Sequence, residues 1–268
     1  MDILTLIILS FIPALLYSFI IYATVPYKII DFKKGLYYIF GGFLSVTLLL
    51  TFFKLVPQWG NLTSNLFNVN TESLKFLHFK CFIEISFIEE LFKLITFLLM
   101  ERYIVYHQKS NYHPLSVMFY VGMISIGFSI VENVLYGMNS LYPTETIMIR
   151  SITAVIGHMV FGLFMGYWIS LGRMNVKSDN RSLFDIIIMK TDKLKKFIFI
   201  MLGLISATIL HGIYDLHVIM NGNKGISTLY ILLIMSVLGV FWCFKHLVKI
   251  HKQKTKLINT FNLINNQN

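Results

Sequence analysis

Four short motifs set ionisable side chains inside long apolar stretches: Glu89-Glu90 with Lys93, Phe128-x-x-x-Glu132, a lone His158, and His211 with Asp215. A charged side chain at the centre of a bilayer helix costs about 2.5–3.5 kcal/mol on insertion scales, so each is a functional candidate by default. Glu89 and Lys93 stand four residues apart, share a helix face and can pair. Glu90 lies about 100° round the same helix. His211 and Asp215 are also four apart and can address one centre. Two carboxylates and two imidazoles can activate water. A Glu in a low-dielectric site suits a general base. Neutral histidines can bind a divalent metal or donate to a developing oxyanion, with Asp215 orienting His211.

The elements that hold these residues follow from composition. Of 268 residues, 56% are hydrophobic and 13% charged, with a mean hydropathy of +0.69. Soluble domains carry about 25% charge, so an ordinary soluble globule, a disordered chain and a disulfide scaffold are excluded. Cys81 and Cys243 fall in separate apolar segments and read as small buried side chains. Windows of about 20 apolar residues predict an all-α polytopic bundle of seven spans, near 3–25, 36–56, 80–100, 115–138, 147–171, 196–219 and 226–247. The first reads as a span rather than a cleaved leader, because it lacks a basic start.

The net charge of +10 is unevenly spread. Segments 26–35, 101–114, 172–196 and the tail from 245 hold seventeen of the 23 Lys and Arg. The opposite face holds five, Arg150 among them, and Lys93 lies within a span. The positive-inside rule then puts the N-terminus outside and the C-terminus inside. Basicity becomes an orientation signal, and a nucleic-acid partner is not expected. Counted from the outer ends at about 1.5 Å per residue, Glu89 lies about 13 Å deep, Glu132 about 9, His158 about 16, His211 about 14 and Asp215 about 8. Residues on four helices thus lie at mid-membrane or in its outer half. Asn61-Leu62-Thr63 is a formal glycosylation sequon, and Leu183 to Met189 reads as a short interfacial helix.

The ordered set Glu89-Glu90-Leu91-Phe92-Lys93, Phe128-Ser129-Ile130-Val131-Glu132-Asn133, His158 and His211-Gly212-Ile213-Tyr214-Asp215 resembles the PrsW family of intramembrane proteases, relatives of the CAAX prenyl endoproteases. The resemblance covers roughly residues 84–216. It implies that Glu89 activates the attacking water with Glu90 beside it, and that His158 and His211 bind a metal or polarise the scissile carbonyl. Glu132 would be the third ligand of such a metal, for which zinc is one candidate. Related enzymes are described both as metalloproteases and as metal-independent glutamate proteases, and this sequence has no His-Glu-x-x-His. Glu132, where the CAAX branch has His, favours the PrsW branch.

The expectation is a single integral membrane domain over residues 1–268 with a four-helix catalytic core at 80–220. It would sit in a bacterial plasma membrane and cleave a membrane-anchored protein, such as an anti-sigma factor, near the extracytoplasmic side. A proton- or cation-coupled transporter using the same carboxylates and histidines is the alternative. Lys93 reads as a structural partner of a carboxylate, Asn133 and Tyr136 as local hydrogen bonders, and Glu84 as a rim residue. Gly122, Gly127, Gly157, Gly162, Gly166, Gly203 and Gly212 read as helix-contact positions.

Overall fold

Apolar runs of this length can satisfy their backbone in a bilayer only as helices, and helices are what form. A computed structural model describes residues 2–24, 31–59, 74–108, 114–174, 192–221 and 226–265. The helices are α1 (Ile3–Thr24), α2 (Phe32–Leu55), α3 (Leu74–Phe79), a π-helical segment (Lys80–Phe87), α4 (Ile88–Gln108), α5 (Pro114–Asn139), α6 (Pro143–Ile152), α7 (Ala154–Arg173), α8 (Asp192–Asn221) and α9 (Ile226–Asn265). No strand occurs among the described residues. Six stretches are long and apolar enough to cross a membrane: Ile3–Ala23, Phe32–Leu55, Leu115–Asn139, Pro143–Arg173, Leu194–Asn221 and Ser227–Gln253. The remaining expected span, at 80–100, sits inside the continuous helical run from 74 to 108, which carries the Glu89, Glu90 and Lys93 charges. The sequon and the 183–189 stretch lie outside the described residues.

The centre of the bundle is α5, buried along nearly its whole length. It packs on α7, α2 and α1, while α8 packs on α7 and on the π segment. Hydrocarbon solvent removes the hydrophobic drive between helices, so close backbone approach through small residues takes its place. At the α2–α5 crossing, a Cβ on Gly127 would overlap the Ile39 carbonyl and one on Gly42 would overlap the α5 backbone. Gly162 and Gly166 do the same work where α7 meets Ser125 and Met118 of α5. Gly157 is the exception among the expected contact glycines, since an added Cβ there meets only side chains at 3.3 Å or more.

Two irregularities depart from simple spans. The third expected span is π-helical over eight residues just before Glu89. The fifth breaks at Thr153, where one non-helical residue separates α6 from α7. The Thr153 hydroxyl donates back to the Ile149 carbonyl at 2.9 Å and satisfies part of the break. At the far end of α7, Arg173 forms a two-pronged ion pair with Glu101 of α4 and lies over the Phe97 ring.

Candidate active site

The first carboxylate pair divides its labour. Glu90 is wholly buried, and its Oε1 accepts from Lys93 Nζ at 2.6 Å and from His211 Nδ1 at 2.9 Å. Lys93, which can pair with Glu89 along the i, i+4 face, does so only at 4.0 Å and pairs far more closely with Glu90 at i, i+3, at 2.6 Å. The reason is tertiary: His211 on α8 fixes Glu90 from the other side, so Lys93 completes that bond. Glu89 keeps 13% of its side chain exposed, and its Oε2 is buried with no hydrogen-bond partner.

Lys93 also reaches across to α7. Its ammonium lies 3.0 Å from His158 Nδ1 and 4.1 Å from the centre of the Phe128 ring. An ammonium only donates, so Nδ1 accepts and the His158 proton sits on Nε2, which donates to Glu132 Oε2 at 2.6 Å. The Phe-x-x-x-Glu spacing on α5 is thereby explained. Phe128 covers Lys93, and one turn later Glu132 holds His158. His211 stacks on Phe161 at 4.9 Å and 20°, and its ring meets that of His158 edge-on at 4.9 Å. Its Nε2 faces Asp215 Oδ2 at 3.5 Å and Glu89 Oε2 at 3.9 Å. The Ser86 hydroxyl, from the π segment, reaches Asp215 Oδ2 at 3.4 Å.

All six expected residues, Glu89, Glu90, Glu132, His158, His211 and Asp215, therefore meet in one cluster drawn from α4, α5, α7 and α8. Two others were not anticipated. Arg150, counted among the charges of the outer face, lies within the described span 143–173. Its Nη2 sits 3.1 Å from Glu132 Oε2, its Nε donates to Asn133 Oδ1 at 2.9 Å, and its guanidinium covers the Tyr136 ring at 3.7 Å. A signal existed: Arg150 and Glu132 each stand near the outer end of their spans, so opposite charges share a depth. Ser86 carried no comparable signal, because a π segment is not readable from residue types. Glu84 is buried in the π segment, and His217 bonds along its own helix to Asn221 at 3.3 Å.

The sequence profile of the PrsW family of intramembrane metalloproteases matches residues 36–242, most of the chain and every site residue. The chain belongs to that family. It is 27% identical to Protease PrsW of Oceanobacillus iheyensis over 39% of this chain and 46% of that protein. It is 33% identical to Protease PrsW of Shouchella clausii over 34% of each chain. The matched region thus spans less than half the length of these curated relatives. No solved structure matches it.

The family description names a metal, and the donor set can be tested for one. Glu89, His158 and His211 each offer a ligand atom, all within 4.8 Å of one another. The cluster holds four carboxylates against the two fixed cations Lys93 and Arg150. With neutral imidazoles, two negative charges remain, which a divalent cation would balance. His211 already presents the usual second contact of a metal-bound imidazole, its Nδ1 donating to a carboxylate. The residues fit, with Lys93 the group that must release His158 Nδ1. The set contains Glu89 where Glu132 was expected, because Arg150 and His158 hold Glu132 between them.

Proposed function

We propose that this chain is an endopeptidase that hydrolyses a peptide bond of a membrane-anchored protein, such as an anti-sigma factor, on the extracytoplasmic side of a bacterial plasma membrane. The observation that carries the reading is the asymmetry of the carboxylate pair: Glu90 Oε1 accepts from two donors at 2.6 and 2.9 Å, whereas the cations and rings nearest Glu89 Oε2, Lys93 Nζ and His211 Nε2, stay 3.9–4.0 Å away. A base must be close to the reacting water and uncommitted. Glu89 accepts a proton from that water and returns it to the leaving amine. Glu90 and Lys93 hold His211 and His158 at fixed angles. Glu132 fixes the His158 tautomer, Arg150 holds Glu132, and Asp215 faces His211 Nε2. A divalent cation such as zinc would be held by Glu89, His158 and His211 and would polarise the scissile carbonyl and acidify bound water. The carboxylate of Glu89 has lone pairs enough to serve a cation and a proton.

The orientation read from the loop charges places this cluster in the outer half of the bilayer, with residues 80–220 as the catalytic core. The family match favours hydrolysis over the cation-coupled transport that the same residues could serve. The test is reconstitution with a single-span peptide carrying a fluorophore and quencher across its outer half. Wild type should cleave it, and Glu89→Ala and His211→Ala should not. Cleavage that persists in both variants overturns the assignment. Loss of activity with a chelator, restored by zinc, is the expected result if the cation participates.

A further inference from the structure

A second site lies away from the catalytic cluster, between α1 and α2. Both helices pack on α5, but they barely touch one another. They are bridged by two aromatic contacts, Phe11 to Phe43 at 5.8 Å and Tyr22 to Phe32 at 5.1 Å. Between these lies a cavity of about 270 Å³, lined by Leu15, Ser18, Phe19, Gly35, Leu36 and Ile39, with Met123 of α5 as its floor. It is narrower than the ~300 Å³ at which small-molecule pockets usually begin. Ser18 bonds its own helix at Ala14, so no wall offers a free polar group. Phe19 is 60% exposed and Leu15 46%, so the slot opens sideways onto the surface that faces hydrocarbon.

We propose that this slot binds one acyl chain of an anionic phospholipid. Lining residues 15–22 and 32–39 carry it about 10 Å along both helices from the end where α1 stops and α2 begins. That end is where headgroups lie. There the exposed Lys33 stands next to Phe32, followed by Lys34. A lysine at this depth extends its ammonium to the interface while its stem stays in the hydrocarbon, and juxtamembrane cations select anionic lipids. Gly35 separates this slot from an ordinary crossing. Where Gly42 and Gly127 are pressed against backbone, a Cβ on Gly35 would meet only the Met123 methyl, at 3.9 Å. Its missing side chain leaves space for a ligand rather than for a helix. This assignment is independent of the proteolytic reading.

The test uses the full chain in vesicles containing phosphatidylglycerol with a diazirine in the headgroup-proximal half of one acyl chain, the part that a slot of about 10 Å can hold. Met123 is 2% exposed, so the surrounding lipid shell cannot reach it and only a chain within the slot can. Photolabelling should mark Met123 and Leu36 in wild type. Gly35→Leu, which fills the slot, should abolish the Met123 label while labelling of exposed Phe40 persists. Ser18→Leu fills it from the α1 side and serves if the first variant does not fold. Lys33→Glu should lower the Met123 label severalfold, as should the same tail on phosphatidylcholine. Labelling confined to Phe40-type surface positions overturns the proposal, as does equal Met123 labelling by the two lipids.

Discussion

At the residue scale, the cluster is a chain of dependencies running Arg150, Glu132, His158, Lys93, Glu90, His211. Each interior member is held by two neighbours in that chain, and Glu89 stands at 3.9 Å from its last member, His211. The two adjacent glutamates should therefore fail differently. Glu89→Gln should remove cleavage and leave thermal stability close to wild type. Glu90→Gln should lower both, because removing one partner of a buried ion pair costs about 3–5 kcal/mol. Thermal melts of the two variants in one detergent check this, and equal melting points would contradict the division of roles. Arg150 acts on the reaction only through Glu132. Arg150→Gln should cut kcat about 10–100-fold, the usual effect of losing a partner behind a ligand, with KM little changed. Arg150→Lys should recover part of it, since an ammonium can reach Glu132 or Asn133 but lacks the planar fork for both. A change confined to KM would point instead to direct substrate contact.

At the element scale, two breaks in helical regularity aim side chains. π-helical turns recur at functional sites because they shift the face on which residues emerge. Here the eight-residue π segment ends just ahead of Glu89 and brings Ser86 to Asp215 on α8. Its seat is Gly212, where a Cβ would overlap the Phe82 ring. Gly212→Leu should destabilise by about 1–3 kcal/mol, the range for overpacking. It should also lower cleavage by parting Ser86 from Asp215, one residue beyond Tyr214 on the same helix. Circular-dichroism melts with the peptide assay measure both, and wild-type values in each would show that the seat is unnecessary. The break at Thr153 separates a short α6 carrying Arg150 from an α7 carrying His158. Both residues reach Glu132, on one turn of α5.

At the scale of the whole molecule, the charge asymmetry predicts an orientation, and α5 forms the buried centre of the bundle. A C-terminal fluorescent-protein fusion should glow in intact cells, and an N-terminal alkaline phosphatase fusion should be active; the opposite pair would invert the bundle and put the site on the cytoplasmic side. Helical class, six of the seven expected spans and the ordered motifs were legible in the chain, because a bilayer core of about 30 Å imposes helix length and buried charge is too costly to be scattered. The choice among partners was not. Glu89 and Glu90 are chemically identical neighbours, and both can reach Lys93 along the helix. Only the approach of His211 from α8, 121 residues away, assigns the ion pair to Glu90 and leaves Glu89 free. Likewise Arg150 reads locally as one of the outer-face charges until α6 packs on α5 and places it against Glu132. Local sequence determines which side chains enter the membrane, since that cost is paid residue by residue. Tertiary structure decides which of them are neutralised, because pairing energy depends on distances between helices that no spacing within one helix contains.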